Sequence, residues 1–477
     1  MQVSPSDLSK VKHLIKEKIL FGNEPTPELL AILIVYFVQG ILGLSRLAVS
    51  FFLKDELGLN PAEVSALFGI TVLPWVIKPL FGFISDGFPI FGYRRRPYLI
   101  LSGIIGAIAW IVMATVVHSS WTATTAIALS SLSVAMSDVI VDSLVVARAR
   151  AESQAEAGAL QSICWSASAF GGLITAYFSG LLLEYFSTRT IFWLTATFPL
   201  IVSGVAWLIA ETPVEPTKEG EKNNNFEDVK QQIKLLRQAL TRKAIWLPTA
   251  FLFIWQATPG SESAFFFFTT NELHFQPEFL GRVRLVTSVA ALVGIWIFQR
   301  FLKSVPFRVI FTWTTVLSTV LGLTTLLLVT HANRALGIDD HWFSLGDNLI
   351  LTVMGEITFM PILVLAARIC PPGVEATLFA LLMSVFNLAG LVSHELGALL
   401  THYLGVTETN FDNLWLLITI TNLTTLLPLI FINWLPEKGQ EISQETQSTL
   451  KGSDEQKLLP NLVPELILQK PAEEVVD

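Results

Sequence analysis

The hexapeptide Glu56-Leu57-Gly58-Leu59-Asn60-Pro61 returns later in the chain as Glu272-Leu273-His274-Phe275-Gln276-Pro277. Each copy follows one long apolar run and precedes another, so the two mark equivalent corners of larger units. The agreement extends outward in order. Gln39 aligns with Gln256 and Phe51 with Phe268. Residues 158–174 align with 376–392 at a constant offset of 218, sharing Leu160/Leu378, Ser166/Ser384, Gly172/Gly390 and Leu173/Leu391. Leu144-Val145-Val146-Ala147 recurs as Leu363-Val364-Leu365-Ala366. Chance apolar similarity accounts for any one match. A succession of them at offsets of 216–219 requires duplication of a unit about half the chain long.

That unit is built from membrane-length blocks. Of 477 residues, 52% are hydrophobic and only 15% charged, with a mean hydropathy of +0.58, whereas a soluble domain carries roughly 25% charged residues. Twelve apolar blocks approach the roughly 20 residues needed to cross a bilayer. They lie near 28–53, 62–86, 97–117, 121–147, 156–185 and 189–210, then 247–270, 279–302, 307–330, 345–368, 375–402 and 412–435. The expected fold is an all-α membrane protein with twelve transmembrane helices in two six-helix halves. The halves, 28–210 and 245–436, are joined by a polar linker at 211–244. Residues 1–27 form a tail, and 437–477, acidic and poor in aromatics, read as a disordered one. A 6+6 parallel repeat with a long central linker is the architecture of the major facilitator superfamily, in which substrate binds at the midplane between halves.

Charge sets orientation and excludes other classes. With the amino terminus cytoplasmic, 24 of the 31 lysines and arginines fall in the tails, the linker and the inner loops, an asymmetry that places both termini inside. No short apolar region with a cleavage site opens the sequence, so the amino terminus reads as a cytosolic tail. The net charge of −8 gives no nucleic-acid footprint. No phosphate-cradling G-x-x-x-x-G-K-[ST] loop, metal-ligand spacing or nucleophile–base motif occurs, so an ATP-driven pump, a metalloprotease and a membrane enzyme are not expected, and no cofactor is. Cys164 and Cys370 do not make a disulfide framework.

Charges inside spans cost at least about 2.5–3.5 kcal/mol each on insertion scales, so each needs a reason. Asp138 and Asp142 lie one turn apart in span four, Glu356 in span ten, Lys78 beside Pro79 in span two, and Arg46 in span one. Glu262 sits in Thr258-Pro259-Gly260-Ser261-Glu262-Ser263, a break in span seven of the kind tolerated only beside protein or a water-filled cavity. Mutual ion pairing, for instance Asp142 with Lys78 or Arg148, is the structural alternative to ligand contact. Gln161 and Gln256 serve equally as interhelical glue or as ligand contacts, and Trp165 as packing or as a stacking face. Gly82-Phe83-Ile84-Ser85-Asp86-Gly87 followed by Arg94-Arg95-Arg96 resembles the superfamily's signature loop with four residues, Phe88–Phe91, inserted. An acid and an arginine cluster at such a corner are suited to holding one gated state.

The same segments resemble one family closely, the folate–biopterin transporters. The resemblance rests on Lys78-Pro79-Leu80-Phe81-Gly82, Gly92-Tyr93-Arg94-Arg95-Arg96-Pro97-Tyr98, Ser137-Asp138-Val139-Ile140-Val141-Asp142, Trp255-Gln256-Ala257-Thr258-Pro259 and Cys370-Pro371-Pro372-Gly373, and it covers roughly 28–435. The compact form is similar to the cyanobacterial members, which implies the cell membrane of a bacterium. Plant members of the chloroplast envelope, the alternative, normally begin with a transit peptide. The resemblance implies folates, pterins and antifolates such as methotrexate as substrates, carried by a monomer. A pterin ring offers an N–H and an amino group to a carboxylate, for which Asp138 and Glu356 are the candidates. The tail carboxylates of folate call for Arg46, Lys78, Arg282 or Arg284. Moving a dianion inward against 100 mV costs about 4.6 kcal/mol, so accumulation needs about two co-transported protons or a steep substrate gradient; protons are the expected coupling ion, with buried carboxylates as carriers. A proton- or sodium-coupled sugar or drug carrier on the same scaffold is the rival reading.

Overall fold

The computed structural model describes residues 25–149, 154–213, 242–302, 305–368 and 375–435; most of the central linker, at 214–241, and most of both tails lie outside them. Among the described residues, ten helical stretches are long and apolar enough to cross a membrane, from Pro27–Glu56 to Leu414–Trp434. The expected seventh and tenth spans are not among the ten. The seventh is split into Lys243–Gln256 and Glu262–Phe267 by the Pro259-Gly260 break. The tenth, Asp340–Arg368, is continuous but carries Asp340, Asp347, Asn348 and Glu356. Spans four and five form helices Ser120–Ala149 and Gln154–Tyr185, close to their expected limits.

The duplication extends to the irregularities. Span one is Pro27–Ile41, a short break, Leu44–Phe51, and a closing π-helical turn Phe52–Glu56. Span seven repeats that order and closes on the π-helical turn Phe268–Glu272. Pro61 and Pro277 then open spans two and eight at the first helical position, where the missing N–H is no loss. Asn60 and Glu63 cap the first of these reciprocally, at 3.0 and 2.9 Å. At each break a hydroxyl from the fifth helix of the same half lies within hydrogen-bond distance of a carbonyl. Thr175 Oγ1 donates to the Gly40 carbonyl at 3.3 Å, and Ser393 Oγ to that of Thr258 at 2.6 Å. Both pairs are related by the sequence offset of 218.

Helices meet through small residues, since lipid tails give apolar side chains no reason to leave them. Gly40 of span one lies on the backbone of span five at Ser168, Gly171 and Gly172, with no room for a Cβ. Gly103 and Gly106 of span three similarly meet Pro199 and Ser203 of span six. Between the halves, contact concentrates at the ends remote from the termini. Span five crosses span eight at Gly180 and Gly281, whose would-be Cβ lies 2.9 Å from the Gly180 Cα. Span two meets span eleven through Ser65 Oγ, which donates to the His394 carbonyl at 3.0 Å, and through Gly69, against which Glu395 lies. Lys54 Nζ donates to Asn271 Oδ1 at 2.9 Å, and the Phe51 and Phe266 rings meet edge-on. This seals one face of the molecule.

Two outcomes are expected. Gly40→Ala should destabilise the protein by about 1–3 kcal/mol through overpacking, whereas Gly172→Ala, whose Cβ meets nothing within 4 Å, should not; thermal unfolding in detergent compares them. Gly180→Leu should disfavour the sealed state, so that Ser65→Cys in that background reacts faster with a membrane-impermeant thiol reagent applied from the sealed face.

Candidate functional site: charged residues within the spans

Span four presents Asp138 and Asp142 on one face, and Lys78 of span two inserts between them. Its ammonium makes a short ion pair with Asp138 Oδ2 and lies 3.3 Å from Asp142 Oδ2. Span one completes the shell, with Tyr36 OH donating to Asp142 Oδ1 at 2.5 Å and Gln39 Nε2 to Asp138 Oδ1 at 3.2 Å. The Lys78 ammonium also stands 5.5 Å from the centre of the Trp75 ring. The ion pair weighed for Asp142 is therefore present, and it takes in Asp138 as well. Asp138 is not a free acceptor awaiting a ligand. With Lys78 charged and both acids ionised, the cluster keeps one negative charge in excess. The Asp142 side chain is 44% exposed against 14% for Asp138, so the excess is presented to water through Asp142.

Farther along span one a second pole has the opposite sign. Arg46 follows Gln39 by seven residues, about two turns or ~10 Å along the axis. Its side chain is exposed to solvent. Arg284 of span eight is half-buried and lies three residues, about one turn, beyond Gly281 of the crossing with span five. Of the four cations considered for an anionic tail, Lys78 is committed to Asp138 and Asp142, and Arg282 pairs with Glu278 at 2.5 Å. Among the described residues no carboxylate pairs with Arg46 or Arg284.

The other candidates are scattered around these poles. Glu356 has no ion-pair partner among the described residues, neither Lys78 nor Arg46; its Cβ packs toward Gly294 of span eight. Glu262 starts the second segment of span seven and is exposed, its carboxylate folded back against Gly260. Gln256 approaches Gly390 of span eleven. Trp165 is 63% exposed and keeps an open face. The side chains of Gln161, Asp86 and Arg148 lie outside the described ones. At the loop between spans two and three, a described carboxylate lies against the arginine corner, that of Glu211 at the start of the linker. It accepts the backbone N–H groups of Arg94, Arg95 and Arg96 at 2.6–3.2 Å, where span three begins. Arg95 donates to Ser85 Oγ at 2.9 Å, and Arg96 to the Ile209 carbonyl at 2.6 Å while stacking between Tyr93 and Trp207.

Sequence reasoning missed Tyr36, although its spacing of three from Gln39 puts both on one helical face. It missed Asp347, whose buried carboxylate accepts from Thr324 and Thr325 at 2.6 and 2.8 Å, and Glu395 in the seam between halves. It also missed Glu211, whose role depends on a contact more than a hundred residues away that no local pattern announces.

Comparison with known proteins fits this architecture. Among solved structures, the nucleoside transporter NupG superposes with a TM-score of 0.64 at 14% identity, covering 85% of this chain and 98% of that one. A D-xylose-proton symporter gives 0.61 at 14% identity, covering 86% and 99%. These likenesses establish the fold as that of major facilitator transporters. Among sequences, a protein named folate-biopterin transporter from Synechocystis is 62% identical over 437 residues, covering 92% of this chain and 87% of its own. Folate transporter 2 of Plasmodium falciparum is 31% identical, covering 92% and 94%, and probable folate-biopterin transporter 2 of Arabidopsis thaliana is 33% identical, covering 87% and 84%. The model of the BT1 family matches residues 39–455. Nearly the whole chain thus aligns with proteins named as transporters: the chain is a membrane transporter and belongs to the BT1 family.

Proposed function

We propose that the protein carries folates and pterins, together with antifolates that share their ring, by alternating access driven by protons. The observation that carries this reading is the Lys78–Asp138–Asp142 cluster. An excess negative charge, opened to water through Asp142, suits a ring that presents an N–H and an amino group side by side. Each carboxylate oxygen has one described donor and retains a second lone pair, so a two-bond fork from the ring can be accepted without displacing Lys78. Trp165 offers an aromatic face for such a ring. The names carried by the relatives from Synechocystis, Plasmodium and Arabidopsis point to the same substrates.

Coupling follows from charge. Bringing a dianion to a negative interior at 100 mV costs about 4.6 kcal/mol, which two protons moving with it offset. Glu356, without a cation among the described residues, is the carrier we assign. Both termini face the cytoplasm by the distribution of lysine and arginine, so the face on which the halves pack together is the outer one. The site is complete within one chain, in keeping with a monomer, and the cell membrane of a bacterium fits the relative from Synechocystis.

Folate uptake by the purified protein in liposomes, competed by pterins and by sugars, tests the reading; competition by sugars with no effect of pterins would overturn it. Asp138→Asn should abolish folate uptake at normal membrane levels, because Lys78 then pairs with Asp142 alone and the excess charge is lost. Glu356→Gln, fixed in the form of a protonated acid, should lose accumulation under an imposed pH gradient while still exchanging internal for external folate. Accumulation by that variant would remove Glu356 from coupling.

A further inference from the structure

Span two is broken at Ile77, between the helical segments Leu73–Val76 and Lys78–Gly87. Pro79 carries no N–H, so the hydrogen bond that a regular helix would return to the carbonyl four residues earlier, that of Trp75, is missing. A donor reaches this carbonyl from the other half of the molecule. Asn387 of span eleven donates from Nδ2 to the Trp75 carbonyl oxygen at 3.3 Å. At the breaks in spans one and seven, the hydroxyls of Thr175 and Ser393 meet carbonyls of their own half; here the contact crosses between halves. Duplication does not supply it twice. At the offset of 218 the residue equivalent to Asn387 is Ala169, which has no side-chain donor, and span eight contains no proline after Pro277.

The break also adjoins the acidic cluster. Lys78 directly precedes Pro79, and its ammonium stands 5.5 Å from the centre of the Trp75 ring while pairing with Asp138 and Asp142. Trp75 thus meets the cluster with its ring and the opposite half with its carbonyl. Trp75 and Asn387 are both half-buried within the spans, where a carbonyl left without a donor is costly.

We propose that Asn387 is a positioning residue that latches the second half to the break in span two, and so ties the packing of the halves to the state of the Lys78–Asp138–Asp142 cluster. A ligand accepted by the two carboxylates draws on the same Lys78 and shifts the break that offers the carbonyl. Parting of spans two and eleven takes the donor away from it. Each event therefore biases the other, and by the same amount. The inference rests on the reading of the cluster as the folate and pterin site, and adds the route by which its occupancy reaches the second half. The bond is suited to repeated breaking: it is one neutral N–H···O contact, and water can take the carbonyl once the seam opens.

Ser65 reports on the same seam, about 15 Å outward of Trp75 along span two, where its hydroxyl donates to the His394 carbonyl. With Ser65→Cys as the parent, reaction with a membrane-impermeant thiol reagent applied from the sealed face would be timed in Asn387→Leu, Pro79→Ala and the double variant, with and without folate. Folate affinity in detergent and maximal folate uptake in liposomes would be measured on the same proteins. Asn387→Leu should speed the reaction about tenfold, the effect of a buried acceptor left unpaired. Pro79→Ala gives the carbonyl a helical N–H, so it should release Asn387 and speed the reaction by a similar factor, and adding Asn387→Leu to it should change little. Asn387→Gln, which keeps the donor, should restore part of the parent rate. Folate should alter the rate in the parent and not in Asn387→Leu, whose maximal uptake should fall about tenfold with folate affinity near that of the parent. Effects of the two substitutions that multiply, or a rate unaltered by Asn387→Leu, would overturn the latch. Folate affinity falling in step with uptake would overturn the positioning role and make Asn387 a ligand contact. If the ligand-free rates followed the expected pattern while folate neither bound nor was carried, the latch between the halves would stand and the folate reading would fail.

Discussion

A charge held in a low-dielectric interior must be matched, and this constraint organises the protein more than any other. Water does not reach most of the span interior, so each ionised side chain there takes a partner of opposite sign or opens onto a cavity. The Lys78 ammonium meets it by binding Asp138 and Asp142 at once, drawing spans two and four together and recruiting Tyr36 and Gln39 from span one. Removing the lysine would leave two acids facing each other, a change costing about 3–5 kcal/mol for a buried pair broken on one side. The cluster is therefore both a structural joint of the first half and the place where that half presents Asp142 to solvent.

Backbone geometry serves the same end. At the breaks in spans one and seven, a hydroxyl from the fifth helix of each half, that of Thr175 or Ser393, lies within hydrogen-bond distance of a carbonyl. Close glycine crossings, Gly40 on span five and Gly180 on Gly281, bring the helices to backbone contact.

The linker is tied in by a different device. Glu211 covers the amide groups at the start of span three and holds the first residue beyond span six against the Arg94–Arg96 corner. Whatever motion the halves make, the linker leaves from a fixed point on the first of them. The arginines there also differ in role: Arg96 is locked between Tyr93 and Trp207, and Arg95 reaches Ser85 at the end of span two.

The sequence by itself determined the membrane class, the duplication and nearly all of the spans, because apolar length and a repeated order of residues are local quantities that need no partner. It also determined which side chains were too costly to bury without a reason: Asp138, Asp142, Lys78, Arg46 and Glu356 all emerge from that one count. Only the tertiary structure decided how those charges are matched. Whether Asp138 is a free acceptor or half of an ion pair depends on where Lys78 arrives from a helix 60 residues away. Whether Arg46 is neutralised depends on which side chains other helices bring beside it, and among the described residues no acid pairs with it. The sign and partners of a buried charge are set by helices brought together across the fold, and a linear order of residues does not contain those distances.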